Sequence, residues 1–233
     1  MGFYRGPHIV TEGLALLLDS RSKRSYPGSG NTWYDLSGND NHGTLVNFSG
    51  PGAGSTSGFD TNTGLMMYDR HVGTSDGAAN NYVNVPNSVS LDECLITNGM
   101  SISFWFRQDV YRCTAMTKWN GSWEVYYCSS LVFRTSGTGG SDLNTGDAAG
   151  SLFHNICVTS TASGRKIYRN GVVEATGTNT VSSQNTSNPI SIGAYYNGNY
   201  AMQGALPYYA LYNRELTSDE VNQNFNALKN NFI

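Results

Sequence analysis

The feature that most constrains the fold of this chain is an alternation of apolar and polar residues in short runs. It is clearest at residues 100–107, where Ile102, Phe104 and Phe106 occupy every second position. Successive residues of a β-strand point to opposite faces, so this period places the three side chains on one face. Trp105 interrupts the otherwise polar opposite face. The pattern predicts a strand with one face in a core.

Similar short runs recur along the whole chain. They occupy residues 13–19, 44–48, 65–68, 82–85, 123–128, 156–160, 190–192 and 206–212. Gly, Ser, Thr, Asn and Asp crowd between them, above all at residues 49–64 and 136–150, which are predicted to be surface loops. Many short strands separated by frequent turns predict an all-β, antiparallel sandwich.

One pair of residues predicts a tight hairpin. Asn170-Gly171 lies between the strand-like segments KIYR and VV. Both residue types tolerate positive φ, which a two-residue hairpin turn of the favoured kind requires. We therefore expect a tight turn at this point.

The C-terminus is the one segment with a helical pattern. Thr217 and Glu220 have the spacing of a capping box, and apolar residues follow at helical intervals at Val221, Phe225 and Leu228. We predict a short helix over residues 217–230 that packs against the sandwich. Residues 1–12 are predicted to be an N-terminal arm, and residues 1–233 a single domain, a length that suits one large β-sandwich.

Composition and charge exclude several classes of partner. Charged residues make up 13% of the chain, against about 25% in average domains, and the net charge is −3. Lys and Arg are scattered, so no basic stripe is available for nucleic acid or for anionic membranes. The apolar run at residues 14–18 is too short to span a bilayer and lies too late for a signal peptide.

The four cysteines do not have the spacing of a zinc site. Cys94, Cys113, Cys128 and Cys157 form no C-x-x-C pair and have no histidine partner pattern. Buried free thiols are the first interpretation. The alternative, in an oxidised protein, is that Cys128 and Cys157 meet across paired strands.

Several motifs occur in a characteristic order along nearly the whole chain. They are WYDLSGNDNHG at residues 33–43, YVNVP at 82–86, SISFWF at 101–106, YRNG at 168–171 and YNRELTSDEV at 212–221. In this order they resemble the laminin-G-like jelly-roll branch of the concanavalin A-like lectin and glucanase superfamily. A departure is His154, near which many relatives carry a tryptophan. The resemblance implies a concanavalin A-like jelly roll with a short C-terminal helix.

The opening of the chain carries a narrower resemblance. The segments FYRGP at residues 3–7, IVTEG at 9–13 and SYPGSG at 25–30 resemble proteins of tailed-bacteriophage particles that carry this domain. The resemblance implies a structural or binding protein on the virion surface, such as a capsid decoration or fibre component, made in the host cytoplasm. The implied partners are other virion proteins or glycans, and a homo-oligomer is an open possibility.

Two clusters of aromatic residues suit a lectin, which is the alternative function. Aromatic rings stack on sugar rings while amide and backbone groups bond the hydroxyls. The candidate residues for glycan or partner binding are Trp119, Asn120, Trp123, Tyr195, Tyr196, Asn197 and Tyr200. The competing interpretation is that these rings pack on neighbouring strands or fill a protein interface.

One loop suits calcium. Asp35, Asn39, Asp40 and Asn41 supply the carboxylate and amide oxygens that this cation prefers, and relatives often hold calcium around this segment. The competing interpretation is that these residues form Asx-turns and bind no ion.

Catalysis is not expected. A glycoside hydrolase needs two carboxylates that face one cleft, and no strand carries the E-x-D-x-E spacing that would place them so. Glu124 stands alone in its run, and no G-x-S-x-G motif accompanies the histidines. Hydrolysis of a glycoside remains a remote alternative because the superfamily contains such enzymes.

Overall fold

The structure is a computed structural model that describes residues 8–53, 57–69, 80–94, 99–109, 113–118, 122–127, 130–135, 142–145, 152–178, 187–195 and 198–233. The strands are β1 Leu14–Asp19, β2 Thr32–Trp33, β3 Gly43–Val46, β4 Gly58–Asp60, β5 Leu65–Tyr68, β6 Tyr82–Val85, β7 Met100–Gln108, β8 Cys113–Lys118, β9 Trp123–Tyr127, β10 Leu131–Thr135, β11 Asp142–Asn144, β12 His154–Ser160, β13 Arg165–Arg169, β14 Val172–Gly177, β15 Ile190–Ile192 and β16 Gly204–Tyr212. The helices are α1 Val89–Asp92 and α2 Ser218–Leu228, followed by a 3-10 turn at Lys229–Asn231.

The strands form two antiparallel sheets that pack as a sandwich. Sheet A has the order β14-β13-β12-β7-β16-β5-β4, with β1 also paired to β16. Sheet B has the order β11-β10-β9-β8-β15-β6-β3-β2. The all-β sandwich predicted from the sequence is confirmed.

The core between the sheets consists of alternate residues from both. In β7, Ile102, Phe104 and Phe106 point inward as the sequence predicts, and they meet side chains such as Val125 and Phe133 of sheet B. Each of these five residues is fully buried. Burying such a side chain contributes about 1.5–3 kcal/mol, so this layer is the main stabilising element.

A second apolar layer covers the outer face of sheet A. Trp105, which interrupts the alternation of β7, lies on this face and is fully buried. Its ring stacks on Phe225 of α2 at 5.8 Å and on Phe232 at 4.6 Å between ring centroids. The helix therefore explains why β7 and β16 are buried on both faces along almost their whole length.

The hairpin turn and the helix start that the sequence predicts are both confirmed. Asn170 and Gly171 have φ values of 50° and 81°, and they join β13 to β14. Thr217 caps α2, and the side chain of Glu220 accepts from the backbone N–H of Thr217, which completes the capping box. The N-terminal segment docks on α2, because Asn224 Oδ1 accepts from the Val10 N–H at 2.7 Å.

Two predicted loops contain strands. Residues 49–64 include β4, and residues 136–150 include β11, so the prediction of loops throughout is wrong for Gly58–Asp60 and Asp142–Asn144. Both strands have only three residues and lie at or beside a sheet edge, where pairing with a neighbour defines them. Their composition carries no such signal.

Two described cysteines are free, buried thiols. Cys94 lies in the core between the sheets, and Cys157 lies in the layer between sheet A and α2. Burial raises the pKa of Cys94 to about 12 and raises that of Cys157 as well. The side chain of Cys113 and the whole of Cys128 lie outside the described part. No helix among the described residues is long and apolar enough to cross a membrane.

Candidate functional site

The outer face of sheet B differs from that of sheet A because no described helix covers it. In β9, Trp123, Val125 and Tyr127 point into the core, so Glu124 and Tyr126 point outward. The register carries this face across all eight strands as a row of polar residues: Asp142, Arg134, Glu124, Thr117, Ser191, Asn84, Thr44 and Thr32. The row is buried in its middle, where Thr117 and Ser191 are 2% and 5% exposed.

One end of this row holds a group of charged and aromatic side chains. We call it the tyrosine–acid cluster, and its members are Glu124, Tyr126, Arg134, Asp142, Tyr195 and Tyr200. It lies on β9, β10 and β11 and on the turn after β15.

Arg134 organises the cluster by holding Asp142 with two hydrogen bonds. Its Nε donates to Oδ1 at 2.8 Å and its Nη2 to Oδ2 at 2.9 Å. Nη2 also donates to the hydroxyl of Tyr126, which in turn donates to Asp142 Oδ2. The guanidinium lies 4.8 Å from the centre of the Tyr126 ring. The hydrogen bonds from Arg134 lower the pKa of Asp142.

Glu124 is the more buried carboxylate. Its side chain is 14% exposed, its Oε1 accepts from Thr114 Oγ1 at 3.1 Å, and its Oε2 lies 4.0 Å from Arg134 Nη1. Burial raises the pKa of Glu124, with the Thr114 hydroxyl and Arg134 acting in the opposite direction. The two carboxylates of the cluster thus have pKa values displaced in opposite directions.

The turn after β15 brings two tyrosines to the cluster. The rings of Tyr195 and Tyr200 meet edge to face with centroids 6.1 Å apart, and the Tyr200 carbonyl accepts from the Thr114 N–H. Burial, and then the charge of Glu124, raise the pKa of Tyr195. Tyr200 is 65% exposed and has a φ of 48°. A bulky residue in this region is strained, and such strain is concentrated at functional positions.

A glycine fixes the start of this turn. Gly193 has a φ of 82°, and its N–H donates to the carbonyl of Ala115 on β8. A β-carbon at this position would lie 2.2 Å from the Tyr68 ring. The chain can therefore turn here only with glycine, which places Tyr195 beside the cluster.

The predicted aromatic residues separate into three groups. Tyr195 and Tyr200 lie together at the outer face of sheet B, which we call the open face because no described helix covers it. Trp123 is 1% exposed and belongs to the core, so its ring has no free face for a sugar, and the expectation that it binds a ligand is not supported. The other predicted residues, Trp119, Asn120, Tyr196 and Asn197, lie outside the described residues.

The predicted calcium loop uses Asp35 to organise its own backbone. Oδ1 accepts from the N–H groups of Leu17 and Ser37, and Oδ2 accepts from the Ser37 hydroxyl and the Asn41 N–H. The contact from the Ser37 N–H is the Asx-turn of the ion-free interpretation.

The neighbouring side chains of this loop are engaged as well, or point to solvent. The Asn39 and Asn41 amides donate to the carbonyl of Ala15, and Asn41 Oδ1 accepts from Ser88. Asp40 is exposed with a φ of 58°. As arranged, the four residues do not present converging free oxygens, and no described group of three His, Cys, Asp or Glu residues suits a metal. Calcium binding stays a prediction for metal analysis.

The sequence alone did not reveal most of the tyrosine–acid cluster. Glu124 is an isolated carboxylate in its run, and the neighbouring sequence does not mark Tyr126, Arg134 or Asp142 as site residues. Alternation in WEVYY indicates that Glu124 and Tyr126 share a face. Bringing Arg134 between Glu124 and Asp142 depends on the pairing of three strands.

The comparisons with known proteins agree on the fold. A model of the concanavalin A-like lectin/glucanases superfamily, Laminin_G_3, matches residues 76–222, which is more than half of the chain. The chain therefore belongs to this superfamily. No curated protein sequence matches it significantly.

Solved structures with a similar fold include bacterial binding domains. Botulinum neurotoxin type C, whose cell entry depends upon interaction with two ganglioside molecules, has 16% identity and a TM-score of 0.65, covering 94% of this chain and 52% of that chain. The binding domain of Paraclostridial Mosquitocidal Protein 1 has 17% identity and a TM-score of 0.65, covering 94% and 53%. This protein thus spans about half the length of both.

A third similar structure matches over almost its full length. Domain 4 of AbnA, an extracellular arabinanase from Geobacillus stearothermophilus, was solved in complex with arabinotriose. It has 15% identity and a TM-score of 0.60, covering 90% of this chain and 96% of that one. At these identities the likeness establishes the fold alone.

Proposed function

We propose that this protein is a non-enzymatic binding module whose ligand is a carbohydrate held on the tyrosine–acid cluster. The observation that carries the proposal is Tyr200, a 65% exposed ring held at positive φ beside buried and half-buried polar groups. Sugar recognition needs an aromatic surface next to fixed hydrogen-bonding groups. Glu124, Arg134 and Asp142 supply those groups, already oriented by their mutual contacts.

The structural relatives give the proposal independent support. Cell entry of botulinum neurotoxin type C depends upon interaction with two ganglioside molecules, and domain 4 of AbnA was solved with bound arabinotriose. A fold hosts many functions, so the cluster itself has to carry the assignment.

Binding fits the cluster better than hydrolysis does. Glu124 and Asp142 face the same side, and the opposite displacement of their pKa values is a feature that acid–base pairs share. However, Arg134 stands between them and holds both oxygens of Asp142. A glycosidic bond would have to occupy the place of the guanidinium. If the wild-type protein hydrolyses a glycoside and the Glu124→Gln variant does not, the catalytic alternative is restored.

The test is a broad glycan array with the purified protein, run once with calcium and once with a chelator. We expect specific binding in wild type and at least about a tenfold loss in Tyr200→Ala, because aromatic stacking contributes about 0.5–1.5 kcal/mol beyond the burial of the ring, and about 1.4 kcal/mol is tenfold. Tyr34→Ala is the matched control, since Tyr34 is 42% exposed just beyond β2, at the far edge of sheet B.

Each outcome of the array has a distinct meaning. Binding that Tyr34→Ala loses and Tyr200→Ala retains would place the ligand elsewhere. No binding on a broad array would contradict the proposed function. Binding that disappears with the chelator would support the predicted calcium site at Asp35, Asn39, Asp40 and Asn41.

A second candidate function is a structural or binding role on a bacteriophage virion. It is favoured by the resemblance of the opening segment, of which residues 3–7 lie outside the described part. The two candidates are compatible, because a particle protein can bind glycans. Mass spectrometry of purified particles tests the second candidate, and repeated absence of this chain from them would contradict it.

A further inference from the structure

We infer that the tyrosine–acid cluster selects uncharged sugars and discriminates against sialylated, sulfated and uronic-acid glycans. The inference rests on the proposed function and specifies the ligand class of the same site.

The exposed cation of the cluster, Arg134, is already bonded to other side chains of the cluster. Arg134 is the cationic member of the cluster, with a side chain that is 45% exposed. Its Nε and Nη2 already bond Asp142 and Tyr126. Arginine recognises carboxylates and sulfates best through two parallel N–H donors, and Asp142 occupies that edge of the guanidinium. An acidic sugar would have to displace Asp142.

The third guanidinium nitrogen of Arg134, Nη1, lies close to a carboxylate. Arg134 Nη1 lies 4.0 Å from Glu124 Oε2. An anion that reached Nη1 would therefore lie beside the Glu124 carboxylate and near Asp142, and such like-charge contacts in a partly buried site weaken binding. Of the other described residues, Arg165 also influences Asp142, but it is 4% exposed and offers no surface to a ligand.

A neutral hydroxyl fits between Arg134 Nη1 and Glu124 Oε2. A hydroxyl is both a donor and an acceptor, and its hydrogen bonds are about 2.8 Å long. One sugar hydroxyl can therefore accept from Arg134 Nη1 and donate to Glu124 Oε2 across the 4.0 Å that separates them. Tyr195 feels the charges of Glu124 and Arg134, and its ring meets that of Tyr200, so the two rings adjoin this part of the cluster.

The test compares each neutral oligosaccharide with its own sialylated, sulfated and uronic-acid counterparts on one array. We expect the acidic member of each pair to bind at least about tenfold more weakly. The double variant Glu124→Gln, Asp142→Asn should bring the ratio of neutral to acidic binding towards one. Asp219→Asn on α2 is the matched control, because it removes a charge from the opposite side of the sandwich.

The ratio is measured within one protein preparation, so partial misfolding of a variant cancels. A second measurement uses wild type alone. Because salt screens like-charge repulsion, the ratio of neutral to acidic glycan binding should fall towards one as the salt concentration rises. Equal or tighter binding of the acidic members by wild type would overturn the inference while leaving the proposed function intact. Binding to neither member would contradict both.

Discussion

Both outer faces of the sandwich carry tyrosines, but the two faces use them in opposite ways. On sheet A, Tyr208 and Tyr212 are 2% and 0% exposed beneath α2. On sheet B, Tyr200 is 65% exposed beside a row of polar residues. The difference shows that α2 turns one face into a second core, while no described helix covers the other face. Substitutions on the first face should therefore change stability, and substitutions on the second should change binding.

The largest expected effect is on the covered face. Trp105→Ala removes a fully buried ring that stacks on Phe225 and Phe232. We expect the free energy of unfolding to fall by about 3–5 kcal/mol, as for other buried tryptophans. Urea denaturation measures the change. A loss below 1 kcal/mol, judged against Tyr34→Ala, would mean that α2 does not stabilise sheet A.

The next largest effect is a pH-dependent change in the free energy of unfolding, and it arises at the start of α2. The hydrogen bonds from Arg214 lower the pKa of Glu220 to about 2. A lowered carboxylate pKa stabilises the fold above the unfolded-state pKa, so this contribution should fade as pH falls from about 4.5 towards 2. We expect Glu220→Gln to cost about 1 kcal/mol at pH 7 through loss of the ion pair with Arg214, because glutamine can still complete the capping box.

Denaturation curves of wild type and Glu220→Gln at several pH values separate this contribution from general acid unfolding. The difference between the two proteins should shrink as pH falls. A difference that is constant from pH 7 to pH 3 would contradict the role of the Arg214–Glu220 pair.

A smaller effect, of opposite sign, is expected on the open face. Tyr200→Gly replaces a strained residue by one that tolerates a φ of 48°. We expect the protein to become more stable by up to about 1 kcal/mol while glycan binding is lost. Thermal melting and the glycan array give the two values. Lost binding together with lost stability would mean that the ring serves packing.

The smallest expected effect is at Glu124. Burial raises its pKa, so the folded state disfavours its charge and stability rises as pH falls through the folded-state pKa. Glu124→Gln should change the free energy of unfolding at pH 7 by less than about 0.5 kcal/mol. A large loss in urea denaturation would instead give the open face a structural role like that of the covered one.

The sequence predicted the fold well where one strand carries its own signal. The alternation in β7, the Asn170-Gly171 turn and the Thr217–Glu220 capping box each depend on a few neighbouring residues. Strand β8 was missed because a bulge between Thr114 and Met116 breaks its period of two. Strand β10 was missed because its outward Val132 is apolar and 5% exposed, so its run does not alternate.

The candidate site was predictable only in part, for a different reason. Tyr195 and Tyr200 stand close together in a polar loop, and their composition indicated a binding surface. The acidic half of the site depends on Arg134 facing Glu124 on one side and Asp142 on the other. Those pairings follow from hairpin register, which no local pattern in these segments encodes. Trp123 has the residue type of a ligand-binding ring, and only the direction of β9 places it in the core.

Each of the two apolar layers contains one buried cysteine whose alkylation can show when that layer opens. Cys94 is 1% exposed between the sheets, and Cys157 is 1% exposed beneath α2. A thiol reacts as its thiolate, so both should resist alkylation until the layer around them opens. If α2 detaches in a partial opening before the sheets separate, Cys157 will be alkylated faster than Cys94. Peptide-resolved alkylation kinetics would therefore reveal whether the sandwich opens as one cooperative unit or as two.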